Sequence, residues 1–169
     1  MEHFGKLLVE QIPRLRRYAR ALTGDIQHAE DLLQDSLGRA WSRMQQWQPD
    51  SNLRAWLFTI MHNLHINNLR RNRHQYGWES IDGNEPADRR LHGQERAMTL
   101  RDLEQGLALL SDDQREVLVL VCVEGMNYQQ VADILDIPTG TVMSRLHRAR
   151  ERMRIWMHGE EPPKLRRVK

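Results

Sequence analysis

The sequence predicts an all-α fold: two small helical domains joined by a flexible linker, the C-terminal one carrying a helix-turn-helix. Three observations lead there. Apolar residues recur at three- and four-residue steps through most of the 169 residues, and no stretch alternates as a half-buried strand does. Residues 74–97 lose this periodicity and gather Gly77, Gly83, Pro86 and Gly93 among scattered acids, the composition of a linker. Tyr128–Arg152 reads as a short helix, a tight turn and a longer helix. With 28% charged and only 6% aromatic residues, the composition suits helices with polar faces better than a deep β core.

The first helix is expected from about Phe4 to Leu22, with Leu8, Ile12, Leu15, Ala19 and Leu22 on one face. Pro13 should kink or divide it. Thr23-Gly24-Asp25 stops it and starts the next, about Gln27–Gln45. There Ala29, Leu32, Leu33, Ser36, Leu37, Ala40, Trp41 and Met44 share a face, opposite Glu30, Asp31, Gln34, Asp35 and Arg39. Residues 46–52, with Pro49, Asp50 and Ser51, read as a loop. A third helix, about Leu53–Arg73, begins apolar, with Trp56 expected in the core, and turns polar and basic after Asn63. Beyond the linker, Met98–Leu109 is a helix weakened by Gly106. The next begins at Ser111 with two acids in its first turn and runs to about Val123, closed by Glu124-Gly125. Asn127 caps a short helix, Tyr128–Leu135; residues 136–138 turn; the last helix opens at Thr139 or Gly140 and ends near Met157.

The net charge of +2 hides an asymmetry. Residues 1–73 hold 11 Lys/Arg against 7 Asp/Glu, and Arg recurs from Arg145 to Arg154. Local basic patches on a nearly neutral chain suggest nucleic acid, as do many solvated helix faces. Cys122, the single cysteine, lies in the apolar run 117–123 and is expected to be a small buried hydrophobe. One thiol excludes an internal disulfide and fits a reducing cytoplasm. No apolar run approaches the roughly 20 residues that span a membrane, and the N-terminus has no signal-peptide pattern, so a cytoplasmic protein without membrane insertion is expected. His62 and His65 could share a helix face as metal ligands, but no third ligand is placed. Neither a Gly-rich phosphate loop nor a nucleophile elbow is present. The expectation is therefore no enzyme, no cofactor and no metal.

In the last helix Val142, Leu146, Ala149 and Met153 form a narrow apolar stripe. Ser144, His147, Arg148 and Glu151 lie opposite, flanked by Met143 and Arg145. Such a helix suits a major groove, where Arg bonds guanine bidentately. The bland alternative is a helical hairpin with a basic solvent face. Glu124–Ala132 and Ile137–Arg150, with the run Gly140-Thr141-Val142-Met143-Ser144-Arg145-Leu146-His147-Arg148-Ala149-Arg150, resemble region 4.2 of the extracytoplasmic-function (ECF) sigma factors, and Leu110–Val117 resembles region 4.1. Independently, Ala29–Trp41 is similar to region 2.2, and Leu53–Leu64 with Leu69-Arg70-Arg71 to regions 2.3 and 2.4.

That resemblance implies a transcription initiation factor with core RNA polymerase and promoter DNA as partners, and an anti-sigma factor as its usual regulator. It divides the chain into region 2 at 1–75, a linker at 76–97, region 4 at 98–158 and a basic tail at 159–169. It implies polymerase binding through Glu30, Asp31, Gln34, Asp35 and Arg39. The minus-10 element would meet Gln48, Asp50, Ser51, Asn52, Asn63, Asn67, Arg70 and Arg71. The minus-35 element would meet Thr141, Met143, Ser144, Arg145, His147 and Arg148. Several members have Arg at the place of Met143 and an aromatic at that of His147, which leaves the preferred minus-35 sequence open. The alternative is a stand-alone helix-turn-helix regulator, which would need a ligand-binding or receiver domain in the N-terminal half.

Overall fold

A helix with one apolar stripe must bury that stripe against another element, and here helices bury it against helices. The structure is a computed structural model describing residues 2–76 and 100–158. The expected linker at 76–97, beyond Tyr76, and the basic tail at 159–169 lie outside the described residues. All regular elements among the described residues are helical.

Helix α1 (Glu2–Thr23), α2 (Ile26–Ser42) and α3 (Leu53–Tyr76) pack on one another. Their core holds Leu8, Leu15, Ala19, Leu32, Leu33, Leu57, Phe58 and Met61. Asp25 caps α2 by accepting from the His28 amide, and Gly24 turns the chain at φ 67°. Of the two outcomes expected at Pro13, a kink or a division, division does not occur: α1 runs through it. The proline lies on the exposed side, next to an exposed turn at Val9, so water can serve the carbonyl it leaves without a donor. Phe4 meets Trp47 at 5.5 Å, Trp41 at 6.3 Å and Trp56 at 6.5 Å between ring centres. This aromatic group joins the start of α1 to the connection between α2 and α3. Trp56 is half-buried against the core, in keeping with its expected packing role.

Helix α4 (Leu100–Ala108), α5 (Asp112–Leu118), α6 (Tyr128–Leu135) and α7 (Thr139–His158) form the second unit. Gly106 has a packing reason: a Cβ there would lie 3.0 Å from both Met153 and Trp156 of α7. The apolar run 117–123 is not one regular helix. After Leu118 it widens into a π turn, Val119–Val123, closed by the Glu124 amide on the Val119 carbonyl at 3.0 Å. The extra residue per turn shifts the downstream face. Cys122 is therefore exposed, against expectation, and Glu124 is buried. The Cys122 sulfur lies 3.6 Å from the Arg150 guanidinium.

The units meet where α1 and α3 face α5, the π turn and α6. Tyr18, fully buried and edge-on to Phe58, donates its hydroxyl to the Glu116 carboxylate. His62 Nδ1 lies 2.7 Å from the same carboxylate oxygen. Burial first, and the Glu116 charge second, hold the Tyr18 phenol well above its ordinary range, so it stays a donor.

The packing can be tested at two residues. Asn127 and Gln130 form a reciprocal capping box on α6, at 2.8 and 3.0 Å. Asn127→Ala should cost about 1 kcal/mol, read as a lower denaturant midpoint. His65 is buried on α3, and desolvation lowers its pKa despite opposing attraction from Glu116 and Asp112. The unfolded chain then binds the His65 proton more readily than the folded one. Stability should be full above the unfolded value of about 6.5 and fall as pH drops toward the depressed folded value. His65→Gln should flatten denaturation midpoints across that window.

Candidate nucleic-acid and polymerase interfaces

The helix-turn-helix is built by local hydrogen bonds. After the capping box, α6 ends at Asp136, held left-handed at φ 53°, and the Ile137 amide returns to the Ala132 carbonyl at 3.0 Å. The Pro138 carbonyl then accepts from Thr141 and Val142 at 2.9 and 3.2 Å, which starts α7. Val131, Ala132, Ile134 and Leu135 of α6 and Val142, Leu146, Ala149 and Met153 of α7 are all buried. The predicted stripe is thus the inner face.

Met143, Ser144, His147 and Arg148 are exposed along α7, with Met143 51% accessible. Thr141 is half-buried at the helix start, and Ser144 Oγ donates to its carbonyl at 3.1 Å. Arg145 differs from its neighbours: it is half-buried and lies 2.8 Å from the Asp113 carboxylate, tying α7 to the start of α5. The later arginines are also held, Arg150 by Cys122, Arg152 by the Leu109 carbonyl at 3.3 Å and Arg154 by Glu151 at 2.9 Å. Among the described residues of α7, Arg148 is the arginine with no partner, which leaves its guanidinium available for a phosphate or a base edge.

The loop residues of the first unit form a defined turn. Gln48-Pro49-Asp50-Ser51 closes by the Ser51 amide and hydroxyl on the Gln48 carbonyl, at 2.9 and 2.7 Å. Proline at the second position favours that geometry. Asn52 accepts from the Ala55 amide at 3.2 Å, which commits its carbonyl oxygen to starting α3 and leaves the amide nitrogen outward. Gln48, Asp50, Ser51 and Asn52 are all exposed. So are Asn63, Asn67, Arg70 and Arg71, whose spacing along α3 places them on one side of the helix.

On α2, Asp31, Gln34, Asp35 and Arg39 are exposed. Glu30 is engaged: both its oxygens take the Arg16 guanidinium, at 2.7 and 3.2 Å, and that pair holds its pKa below the usual range. His62 is bonded to Glu116 and His65 is buried, and among the described residues no group of three or more candidate ligands gathers around them. The sequence offered no signal for the Asp113–Arg145 or Tyr18–Glu116 contacts, because each joins residues distant in the chain.

The family model described as the Sigma2 domain of PhyR matches residues 8–62, and that described as Sigma-70, region 4 matches residues 94–153. The chain is 36% identical over 147 residues to the ECF RNA polymerase sigma factor EcfG of Rhodopseudomonas palustris, covering 86% of this chain and 80% of that one. It is 36% identical over 143 residues to SigL of Mycobacterium tuberculosis, covering 83% and 81%. Among solved structures it is similar to the sigma factor RpoE of Bartonella quintana in complex with the anti-sigma factor NepR. There the TM-score is 0.79 at 31% identity, over 95% of this chain and 100% of that one. CnrH, in complex with the cytosolic domain of CnrY, shares the fold at a TM-score of 0.66 and 24% identity. The match to the N-terminal half removes the ground for a stand-alone regulator. With relatives aligned across both halves, the chain belongs to the ECF RNA polymerase sigma factors, transcription initiation factors rather than enzymes.

Proposed function

We propose that residues 1–75 bind core RNA polymerase and the minus-10 element, that residues 98–158 read the minus-35 element, and that an anti-sigma factor controls access to both. The observation that carries this reading is the exposed ridge of α7, Met143, Ser144, His147 and Arg148, backed by a buried apolar stripe and led by a tight turn. A helix so mounted can lie in the major groove without losing its own support.

Arg148 supplies the bidentate or phosphate contact, while Ser144 and His147 offer smaller polar groups. Met143 gives an apolar surface that fits a thymine methyl. Thr141 lies at the start of α7, where backbone amides favour a phosphate. Arg145 serves α7 chiefly through Asp113, by fixing how the helix projects. In the first unit the 48–52 turn shapes a pocket for bases exposed by strand opening, and Asn63, Asn67, Arg70 and Arg71 hold the backbone. Asp31, Gln34, Asp35 and Arg39 present a rigid polar face to the polymerase, with Glu30 buttressing α2 through Arg16. Neither unit needs high affinity alone, because the polymerase holds both and raises their effective concentration at the promoter.

The anti-sigma partner is supported by the Bartonella quintana relative, which was solved in complex with such a factor. No described helix is long and apolar enough to cross a membrane, and a cytoplasmic location follows from the function proposed.

The test is transcription in vitro with active core polymerase and a promoter library. Initiation should require the chain and select a shared pair of upstream elements; absence of initiation from every promoter would defeat the reading. Arg148→Ala should reduce minus-35-dependent initiation roughly ten-fold, with the fold unchanged by circular dichroism. If Arg148 contacts a phosphate, the loss should be uniform across sequences and the salt dependence shallower by about one unit. Asp35→Lys should instead weaken core binding and leave promoter preference unchanged.

A further inference from the structure

We propose that His147 is a promoter-reading residue whose charged imidazolium binds an acceptor of the minus-35 duplex, so that recognition strengthens as the ring takes up a proton. The inference deepens the reading of α7 proposed above and rests on it.

The free charge on α7 is scarce. Of its arginines from Arg145 to Arg154, Arg145 is held by Asp113, Arg150 by Cys122, Arg152 by the Leu109 carbonyl and Arg154 by Glu151. Arg148 is left. With a neutral ring at His147, the exposed ridge offers DNA one unpaired cation; with a protonated ring it offers two. A single proton therefore doubles the charge available for contact.

Position supports the same role. At about 100° per residue, Ser144, His147 and Glu151 run along the crest of the helix, opposite the buried stripe. His147 lies in the N-terminal half of α7, the half of a recognition helix that meets base edges. Met143, one turn earlier, is apolar, and Ser144 Oγ gives its proton to the Thr141 carbonyl. Neither supplies a donor to the acceptor that His147 would reach.

Nothing within the protein holds the ring. Helices α4, α5 and α6 pack on α7. Asp113 of α5 is taken by Arg145, and Asp133 of α6 accepts from Gln129. No hydrogen bond or ion pair joins His147 to these or to any other described residue; the charge it meets is that of Glu151, one turn along. Arg154 takes both Glu151 oxygens, at 2.9 and 3.2 Å, and holds that carboxylate below its usual range. Glu151 is thus not free to keep the ring from DNA.

An imidazolium donates from both nitrogens, a neutral ring from one. Nearby phosphates favour the charged form, so binding draws in a proton. The added affinity is full below the pKa of the free ring and is lost as pH rises past that of the bound ring. A rise of about one unit on binding corresponds to about ten-fold in affinity.

The test is binding of the full chain, with core polymerase, to promoters selected in vitro, from about pH 8 to about pH 6, the range that spans imidazole titration. Each variant is read against wild type at the same pH, which cancels titration of the polymerase and of the other histidines. His147→Gln keeps a donor but no charge; relative to wild type it should lose several-fold in affinity between the high and low ends, at most about ten-fold. His147→Arg, always charged, should bind better than wild type at the high end and draw level at the low end. If the acceptor is a phosphate, the wild-type salt slope at low pH should be steeper than that of His147→Gln by about 0.9. If it is a base edge, exchange of one minus-35 base pair should erase the difference between them. A His147→Gln ratio that does not change with pH overturns the proposal and leaves initiation by the wild type intact. Absence of initiation at every pH defeats the reading of α7 itself.

Discussion

A carboxylate withdrawn from water must find partners, and Glu116 finds them only where α1, α3 and α5 converge. Tyr18 gives it a hydroxyl and His62 a ring nitrogen, from two helices of the other unit. Apolar contact alone tolerates sliding between helices; a buried charge with two directed partners does not. The mutual placement of the units is thus fixed by directed bonds to buried carboxylates as well as by apolar contact. His65, buried beside the same carboxylate, links this placement to the protonation of α3.

The helix-turn-helix depends on none of this. Its geometry comes from its own backbone: a capping box, one left-handed residue and a proline carbonyl that starts the next helix. Buried residues on α6 and α7 face each other across the turn. The outer face of α7 is therefore backed by residues buried within its own unit. A transcription initiation factor is served by such a module, because its recognition helix arrives with its support already built.

The same distinction explains what the sequence disclosed. Periodicity and caps are local, so the α6 bounds, the α7 stripe and the two-unit arrangement were legible from residues such as Asn127, Val142 and Leu146. The exposed ridge of α7 was legible for the same reason. Pro13 does not end α1, because the carbonyl that loses its donor lies on the exposed side, where water can replace it. Cys122 misled because hydropathy in the run 117–123 does not reveal a widened turn. Periodicity set Glu30 on an outer face and Arg145 beside one; their partners, Arg16 and Asp113, lie on other helices and were invisible to it. Contacts between distant segments leave no spacing to read.

The π turn at Val119–Val123 acts as a phase shifter. A residue in a regular helix advances about 100°, so excising one from this turn would rotate the downstream chain by more than a quarter revolution relative to α5. Glu124 would swing away from α1, and the entry to the helix-turn-helix would be aimed elsewhere. The wide turn thus couples two orientations that look unrelated: how the helix-turn-helix is aimed, and which face of its own unit meets α1.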